Sequence, residues 1–203
     1  MGNNFNTGTS LNNEYDLWLA FIHGDEHAFS ELYKKCYRDL YSYGISLGMD
    51  EHQAVDAIQD IFLKIYLKSI KIKNAETVRP FLFQSIKNAY LNLLKREQKH
   101  ISLENLTYDF SFKYTIEDRL INKEDREAVK QKIDKALSTL TSRQKEIIYL
   151  RFLHEMEFEE IAVILNISEQ AARNLLHRAF EKIRKNANTL DVIILYLIFC
   201  TLK

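Results

Sequence analysis

One segment near the C-terminus constrains the fold most: FEEIAVILNISEQAARNLLHRAFEKIRK, which opens at Phe158. Its apolar residues recur three and four positions apart on both sides of a three-residue break, which predicts two amphipathic helices joined by a tight turn. Asn166 stands at the break, and Asn tolerates left-handed backbone better than most residues. Ile167 is placed to fill the turn, and Ser168 to cap the second helix. Residues 157–185 therefore predict a helix-turn-helix.

The second helix of this motif has one apolar side and one polar side. The polar side carries two arginines together with amide and imidazole groups: Gln170, Arg173, Asn174, His177 and Arg178. Such side chains can read base edges or hold phosphates when a helix lies in the major groove of DNA. A plain helical hairpin with a solvated basic face is the alternative. The turn, the serine cap and the basic face together favour DNA binding.

Helix-breaking residues are scarce in the rest of the chain, which has one Pro and five Gly among 203 residues. Residues 1–13 are expected to be a disordered lead-in without the pattern of a signal peptide. Residues 100–115 show no helical period. We predict an all-α fold of two small helical domains joined by a flexible linker, with the helix-turn-helix in the second. Apolar spacing places the helices near 17–22, 26–43, 51–69, 80–99, 116–138, 142–154, 158–165 and 169–185.

The charges are unevenly distributed although 28 basic residues balance 28 acidic ones. Residues 14–60 hold ten acidic and three basic residues, whereas 84–100 and 169–186 are both basic. An acidic front part and two basic helices indicate one face for a protein partner and two for phosphate. The alternative is that all three are ordinary solvated faces.

Residues 192–202, VIILYLIFCTL, are almost wholly apolar. A helix of this length spans roughly 16 Å at about 1.5 Å per residue, well short of a bilayer core of about 30 Å. We expect this tail either to pack on the protein's own helices or to form a patch that a partner protein covers. An integral membrane protein is not expected.

No pattern of an enzyme or a cofactor site occurs, since a P-loop, GxGxxG and a nucleophile motif are all missing from the sequence. Cys36 and Cys200 form no CxxC pair and are interpreted as reduced core residues of a cytoplasmic protein. His23 and His27 are four residues apart, but no further ligands are spaced to complete a metal site. The sequence predicts a binding protein without enzymatic activity, cofactor, metal or small-molecule substrate.

The helix-turn-helix region and the N-terminal helical half each resemble part of a known family. Residues 139–185 resemble the promoter −35-binding domain, region 4, of bacterial RNA polymerase sigma factors. Region 2 of the small extracytoplasmic-function sigma factors is resembled by three segments: GDEHAFSELYKKCYRDLYSYG, DAIQDIFLKIY and RPFLFQSIKNAYLNLLKRE. Within that family, the segments resemble the sigma factors of Bacteroides-type bacteria. The resemblance implies a lead-in at 1–13, region 2 at 14–99, a linker at 100–115, region 4 at 116–187 and an apolar helix at 188–203.

The resemblance implies partners and residue roles. Core RNA polymerase and promoter DNA would be the partners, and an anti-sigma factor the regulator. Docking on the clamp helices of the polymerase β′ subunit would use Asp56, Gln59, Asp60 and Phe62. The −10 element would be contacted by Lys71, Lys73, Asn74, Arg79, Lys87, Asn88, Asn92, Lys95 and Arg96. The −35 element would be contacted by Ser168, Gln170, Arg173, Asn174, His177 and Arg178.

The chain departs from the family pattern in its recognition helix. Gln170, Ala171 and Ala172 stand where the family usually has Gly-Thr-Val, and Leu175 replaces a common basic residue. Fewer polar groups reach the groove, so readout of the −35 element is expected to be looser.

Two other functions stay open at this point. A conventional helix-turn-helix regulator with a helical sensor or dimerisation domain would bind duplex DNA without polymerase. A helical adaptor would not contact DNA.

Overall fold

The computed structural model describes residues 13–68, 77–97, 108–112 and 137–186, and the regular elements in these ranges are helical. The predicted all-α fold is therefore confirmed for them. The apolar tail, nearly all of the helix predicted at 116–138 and most of the lead-in lie outside the described residues. The helices are α1 (Glu14–Ile22), α2 (Glu26–Leu47), α3 (Glu51–Lys68), α4 (Val78–Glu97), α5 (Ser142–Ile148), α6 (Phe158–Leu165) and α7 (Glu169–Asn186), with a π-helical turn (Tyr149–Leu153) directly after α5.

Polar side chains cap the N-termini of several helices. Asp25 accepts hydrogen bonds from two backbone N–H groups in the first turn of α2. At the start of α3, Gln53 N–H donates to Asp50 Oδ1 at 2.8 Å, and the Gln53 side chain accepts from the Asp50 backbone. Thr141 and Gln144 form the same reciprocal box at α5. Each cap stabilises its helix by about 1 kcal/mol.

The predicted end of the second helix at residue 43 is wrong, because α2 continues through Gly44 for another turn. Its neighbours lie so close that a Cβ on Gly44 would be 3.2 Å from the Met49 Sδ and 3.3 Å from the Ala54 Cβ. This glycine therefore permits close packing and does not break the helix. Gly48 ends α2 in the left-handed region, with φ +115°.

The first four helices enclose one apolar core. Ala54, Ile58 and Ile65 of α3 are buried on its inner side. Leu82 and Ile86 of α4 lie in the same core. The Phe62 ring packs edge-on against Phe29 and Tyr33, with centroids 5.8 and 4.9 Å away. Full burial of such a side chain contributes roughly 1.5–3 kcal/mol.

The helix-turn-helix has the predicted geometry. Asn166 adopts φ 52° and ψ 54° between α6 and α7, and the Ser168 Oγ accepts from the Ala171 N–H at 3.2 Å. The segment before it differs from the prediction of one α-helix over 142–154. It changes to π geometry at Tyr149, and a pattern of apolar residues three and four positions apart does not predict such a change.

A short extended segment joins the two halves of the molecule. Phe110 and Phe112 are buried with their centroids 5.2 and 5.6 Å from the Tyr149 ring. The Ser111 N–H donates to the Ser46 carbonyl of α2 at 2.9 Å. The aromatic residues of the linker thus connect α2 to the helix-turn-helix half. Of the residues described, none belongs to a helix both long and apolar enough to span a membrane.

Gly48→Ala is expected to lower the free energy of unfolding by about 2 kcal/mol or more, since it adds strain at positive φ. Its Cβ would also lie 2.6 Å from the Tyr90 hydroxyl. Gly24→Ala is the matched control, because Gly24 has φ +99° but no atom within 4 Å of the added Cβ. Urea denaturation of both variants gives their free energies of unfolding. The difference between the two losses is the part caused by the steric clash with Tyr90, because both variants share the backbone strain. Equal losses would contradict a role for Tyr90.

Candidate nucleic-acid and protein interfaces

The outer face of α7 brings together the five polar side chains predicted for the recognition helix. All five are exposed. The Gln170 amide donates to the Asn174 Oδ1 at 3.1 Å, and the Arg178 Nε donates to the Asn174 carbonyl at 3.2 Å. Ser168 stands at the head of this face, where its hydroxyl caps the helix. Two guanidinium groups and several amides therefore lie on one surface, a set that suits base edges and phosphates.

The predicted residues of α4 divide into two groups. Four form one exposed stripe along the C-terminal half of the helix: Asn88, Asn92, Lys95 and Arg96. Arg79 lies elsewhere, half-buried, with its Nη2 3.7 Å from the Asp39 Oδ2. Lys87 is buried and does not share the stripe. Lys71, Lys73 and Asn74 lie outside the described residues.

The outer face of α3 carries the predicted acidic and amide groups. Asp56, Gln59 and Asp60 are exposed, and the Lys64 Nζ lies 3.8 Å from the Asp60 Oδ2. Phe62 is a correction to the predicted set, because its ring is buried in the core and cannot touch a partner. It lies on the inner side of α3, where it packs the helix against the core behind the exposed docking residues.

Two apolar residues on the same face were missed by the sequence analysis. Leu63 and Leu67 are 55% and 70% exposed. With Asp56 and Asp60 they recur at intervals of four, three and four, the spacing of a seam that packs against another helix. That interval is visible in the sequence, but the two leucines were indistinguishable there from core residues. The face is acidic at its N-terminal half and apolar at its C-terminal half.

A buried carboxylate joins the two halves of the molecule. Glu146 of α5 has no exposed surface, and the Lys87 Nζ lies 2.9 and 2.8 Å from its two oxygens. The Tyr43 hydroxyl of α2 donates to the Oε1 at 2.5 Å, and the Tyr108 hydroxyl of the linker donates to the Oε2. We call these four residues (Tyr43, Lys87, Tyr108 and Glu146) the junction network.

The ionisation of the junction network follows from its burial. Burial raises the pKa of Tyr43 and Tyr108, and the Glu146 carboxylate raises it further, so both phenols stay protonated donors. Burial lowers the pKa of Lys87, whereas the adjacent carboxylate opposes that shift. The carboxylate thus receives three donors that replace the water it loses.

Further contacts hold α6 and the π-helical turn against the first half. The Gln84 amide of α4 donates to the Val163 carbonyl of α6 at 2.7 Å. The Tyr149 hydroxyl lies 2.7 Å from the Ser42 Oγ, and the His154 Nδ1 is 3.5 Å from the Asp39 Oδ2. The helix-turn-helix half therefore lies directly on α4.

Two sequence families match the chain. The family described as Sigma-70 region 2 matches residues 32–100, which hold most of α2 with all of α3 and α4. The family described as Sigma-70, region 4 matches residues 136–185, which hold α5, α6 and nearly all of α7.

Curated relatives align over most of the chain. "ECF RNA polymerase sigma factor SigM" of Bacillus subtilis (strain 168) is 25% identical over 154 residues, which are 76% of this chain and 91% of the relative. "RNA polymerase sigma factor SigV" of the same organism is 25% identical over 147 residues, which are 72% of this chain and 83% of the relative. "ECF RNA polymerase sigma factor SigM" of Mycobacterium tuberculosis (strain ATCC 25618 / H37Rv) is 24% identical over 174 residues, 85% of this chain and 83% of the relative.

A solved structure has a similar fold. The structure of CnrH in complex with the cytosolic domain of CnrY superimposes with a TM-score of 0.54 and 19% sequence identity, covering 84% of this chain and 94% of that chain. At this identity the likeness concerns the fold alone.

Glu146→Leu is expected to lower the free energy of unfolding by about 3–5 kcal/mol, because it leaves the buried Lys87 ammonium without its counter-charge. Lys87→Met is expected to cost a similar amount. The double variant removes both charges and should lose clearly less than the sum of the two. Urea denaturation of the four proteins measures this coupling. Losses that simply add would contradict the pairing of Lys87 with Glu146.

Proposed function

Because this chain is an extracytoplasmic-function (ECF) RNA polymerase sigma factor, we propose that three of its helices divide the work of promoter recognition. In this division α3 docks on core polymerase, α4 contacts the −10 element and α7 contacts the −35 element. The observation that carries the proposal is one acidic and apolar face on α3 together with two faces of amide and cationic side chains, on α4 and α7. The protein acts by binding, without catalysis of its own.

The docking face of α3 suits a helical partner with basic and apolar side chains. Asp56 and Asp60 offer carboxylates, and Leu63 and Leu67 continue the same seam with apolar surface. A coiled coil that bears basic residues beside apolar ones matches both halves. The clamp helices of the β′ subunit are the proposed partner.

The stripe on α4 suits single-stranded promoter DNA. Asn88 and Asn92 supply amide donors and acceptors, while Lys95 and Arg96 supply positive charge. Unpaired bases expose their hydrogen-bonding edges, and the backbone needs cations beside it. We assign this stripe to the non-template strand of the melted −10 element.

The face of α7 suits the major groove of the −35 element. Arg173 and Arg178 can reach base edges or phosphates from this helix. Ala171 and Leu175 between them offer no polar group, which limits the affinity of the helix by itself. A net charge of zero agrees with a protein that polymerase presents to DNA.

The described arrangement cannot engage both elements at once. About 25 base pairs separate them, which is roughly 85 Å of B-DNA at about 3.4 Å per base pair. In the structure α6 touches α4, with 2.7 Å between the Gln84 amide and the Val163 carbonyl. We propose that the helix-turn-helix half leaves α4 when polymerase is bound, and that Lys87 becomes accessible only then.

We propose further that an anti-sigma factor controls this protein in the cytoplasm. An anti-sigma factor bound to this face of α3 would block the binding of polymerase. Leu63 and Leu67 give such a partner apolar surface to bury. A role of the type found in Bacteroides-like bacteria is part of the same proposal and rests on the sequence resemblance.

Transcription in vitro with purified core polymerase tests the proposed function. The wild-type protein should add initiation at specific promoters to a core enzyme that lacks it. Core enzyme that gains no promoter-specific initiation would refute the proposal.

Asp60→Lys and Leu63→Glu are expected to weaken core-polymerase binding at least about tenfold, since each places an unfavourable charge in the proposed seam. Titration of labelled protein with core polymerase gives the affinities, and circular dichroism checks the fold. Glu181→Lys and Ile22→Glu make comparable changes at exposed positions outside α3 and outside the junction, and should bind normally. Normal binding by both α3 variants would contradict the assigned face.

A further inference from the structure

The side chain of Arg173 is held in place before any DNA is present. Its guanidinium carbon lies 4.4 Å from the centroid of the Phe158 ring. Its Nε donates to the Glu169 Oε1 at 3.0 Å, and its Nη2 donates to the same oxygen. The side chain is nevertheless 48% exposed. Two different neighbours therefore fix a cation that stays accessible on the outer face of α7.

The ring that supports Arg173 is itself fixed. Phe158 is the first residue of α6, and the guanidinium of Arg151 lies on it as well, 5.4 Å from the ring centroid. Arg151 donates to the Met156 carbonyl at 2.8 Å and pairs with Glu157 at 3.0 Å. The stack of Arg151, Phe158 and Arg173 thus ties the turn before α6 to the first turns of α7.

The edge of the guanidinium that Glu169 occupies decides which donors are left for another partner. Glu169 accepts from Nε and Nη2, which form the side edge of the group. The end edge, formed by Nη1 and Nη2, points along the side chain. An arginine reads guanine through two parallel hydrogen bonds to O6 and N7, and the end edge can make them. Glu169 therefore accepts at the side edge and not at the end edge, which could read guanine in this way.

Holding the side chain also changes the balance between specific and non-specific binding. A mobile arginine loses rotamer freedom when it binds a base, and that cost is smaller when the rotamer is already fixed. The carboxylate of Glu169 partly neutralises the cation, which weakens its attraction to any phosphate. Both effects favour base reading over backbone contact.

We propose that Phe158 and Glu169 are positioning residues that aim Arg173 at one guanine of the −35 element. This assignment rests on the proposed function of α7. Neither residue is required to touch DNA. Their effect on base preference is confined to the position that Arg173 reads.

The test is a promoter library in which every base pair of the −35 element is varied, transcribed with core polymerase. Arg173→Ala should abolish the preference for G at one position. Phe158→Leu removes the aromatic face but keeps apolar volume, and Glu169→Gln removes the charge. Each should reduce the preference about two- to fivefold at that same position. Phe158→Tyr keeps the ring and should restore the wild-type preference.

Core-polymerase affinity and dependence on the −10 element should be unchanged in all these variants, which a loss of folding would not permit. The positioning role would be overturned if Phe158→Leu and Glu169→Gln lowered initiation equally for changes at every position of the −35 element. An Arg173→Ala variant without any positional change would overturn it as well. Arg178→Ala separates that result from failure of the proposed function, because a protein that uses α7 should still lose −35 dependence through Arg178.

Discussion

The arrangement of the two halves depends on the buried carboxylate of Glu146. A carboxylate without exposed surface is unstable unless donors replace its water. The donors come from three separate parts of the chain: Tyr43 of α2, Lys87 of α4 and Tyr108 of the linker. Because each part supplies a different donor, the carboxylate is satisfied only when all of them meet. The junction network therefore defines one relative position of the halves.

The same chemistry makes the junction suitable for opening. Apolar surface resists exposure to water, but a lysine and a glutamate regain hydration when they separate, so a buried ion pair adds little net stability. Interfaces between domains are commonly of this more polar kind. Lys87 takes part in the closed junction and belongs to the helix proposed for the −10 element. In the proposed DNA-bound state Lys87 would contact the −10 element, so the closed and the DNA-bound states would compete for this side chain.

Local features of the molecule could be predicted from the sequence, whereas features that join distant segments could not. Three features depend only on residues a few positions apart: the turn at Asn166, the cap at Ser168 and the polar face of α7. A local sequence pattern is therefore enough to predict them. The pairing of Lys87 with Glu146 spans 59 residues and depends on how the halves pack. Phe62 shows a similar limit, because the family resemblance assigned it to a partner, whereas the packing of the first helices buries it in the core.

The distance between the two halves shows directly whether the junction network opens when polymerase and promoter DNA bind. Nitroxide labels at Lys34 of α2 and Arg184 of α7, both exposed, can be placed after Cys36 and Cys200 are replaced by serine. Pulsed electron paramagnetic resonance should give a single short distance between the two labels in the protein alone. The distance should lengthen on the order of tens of Å in the complex with core polymerase and promoter DNA, given the span between the two elements. An unchanged distance in that complex would contradict the account, since the junction network would then persist while both elements are bound.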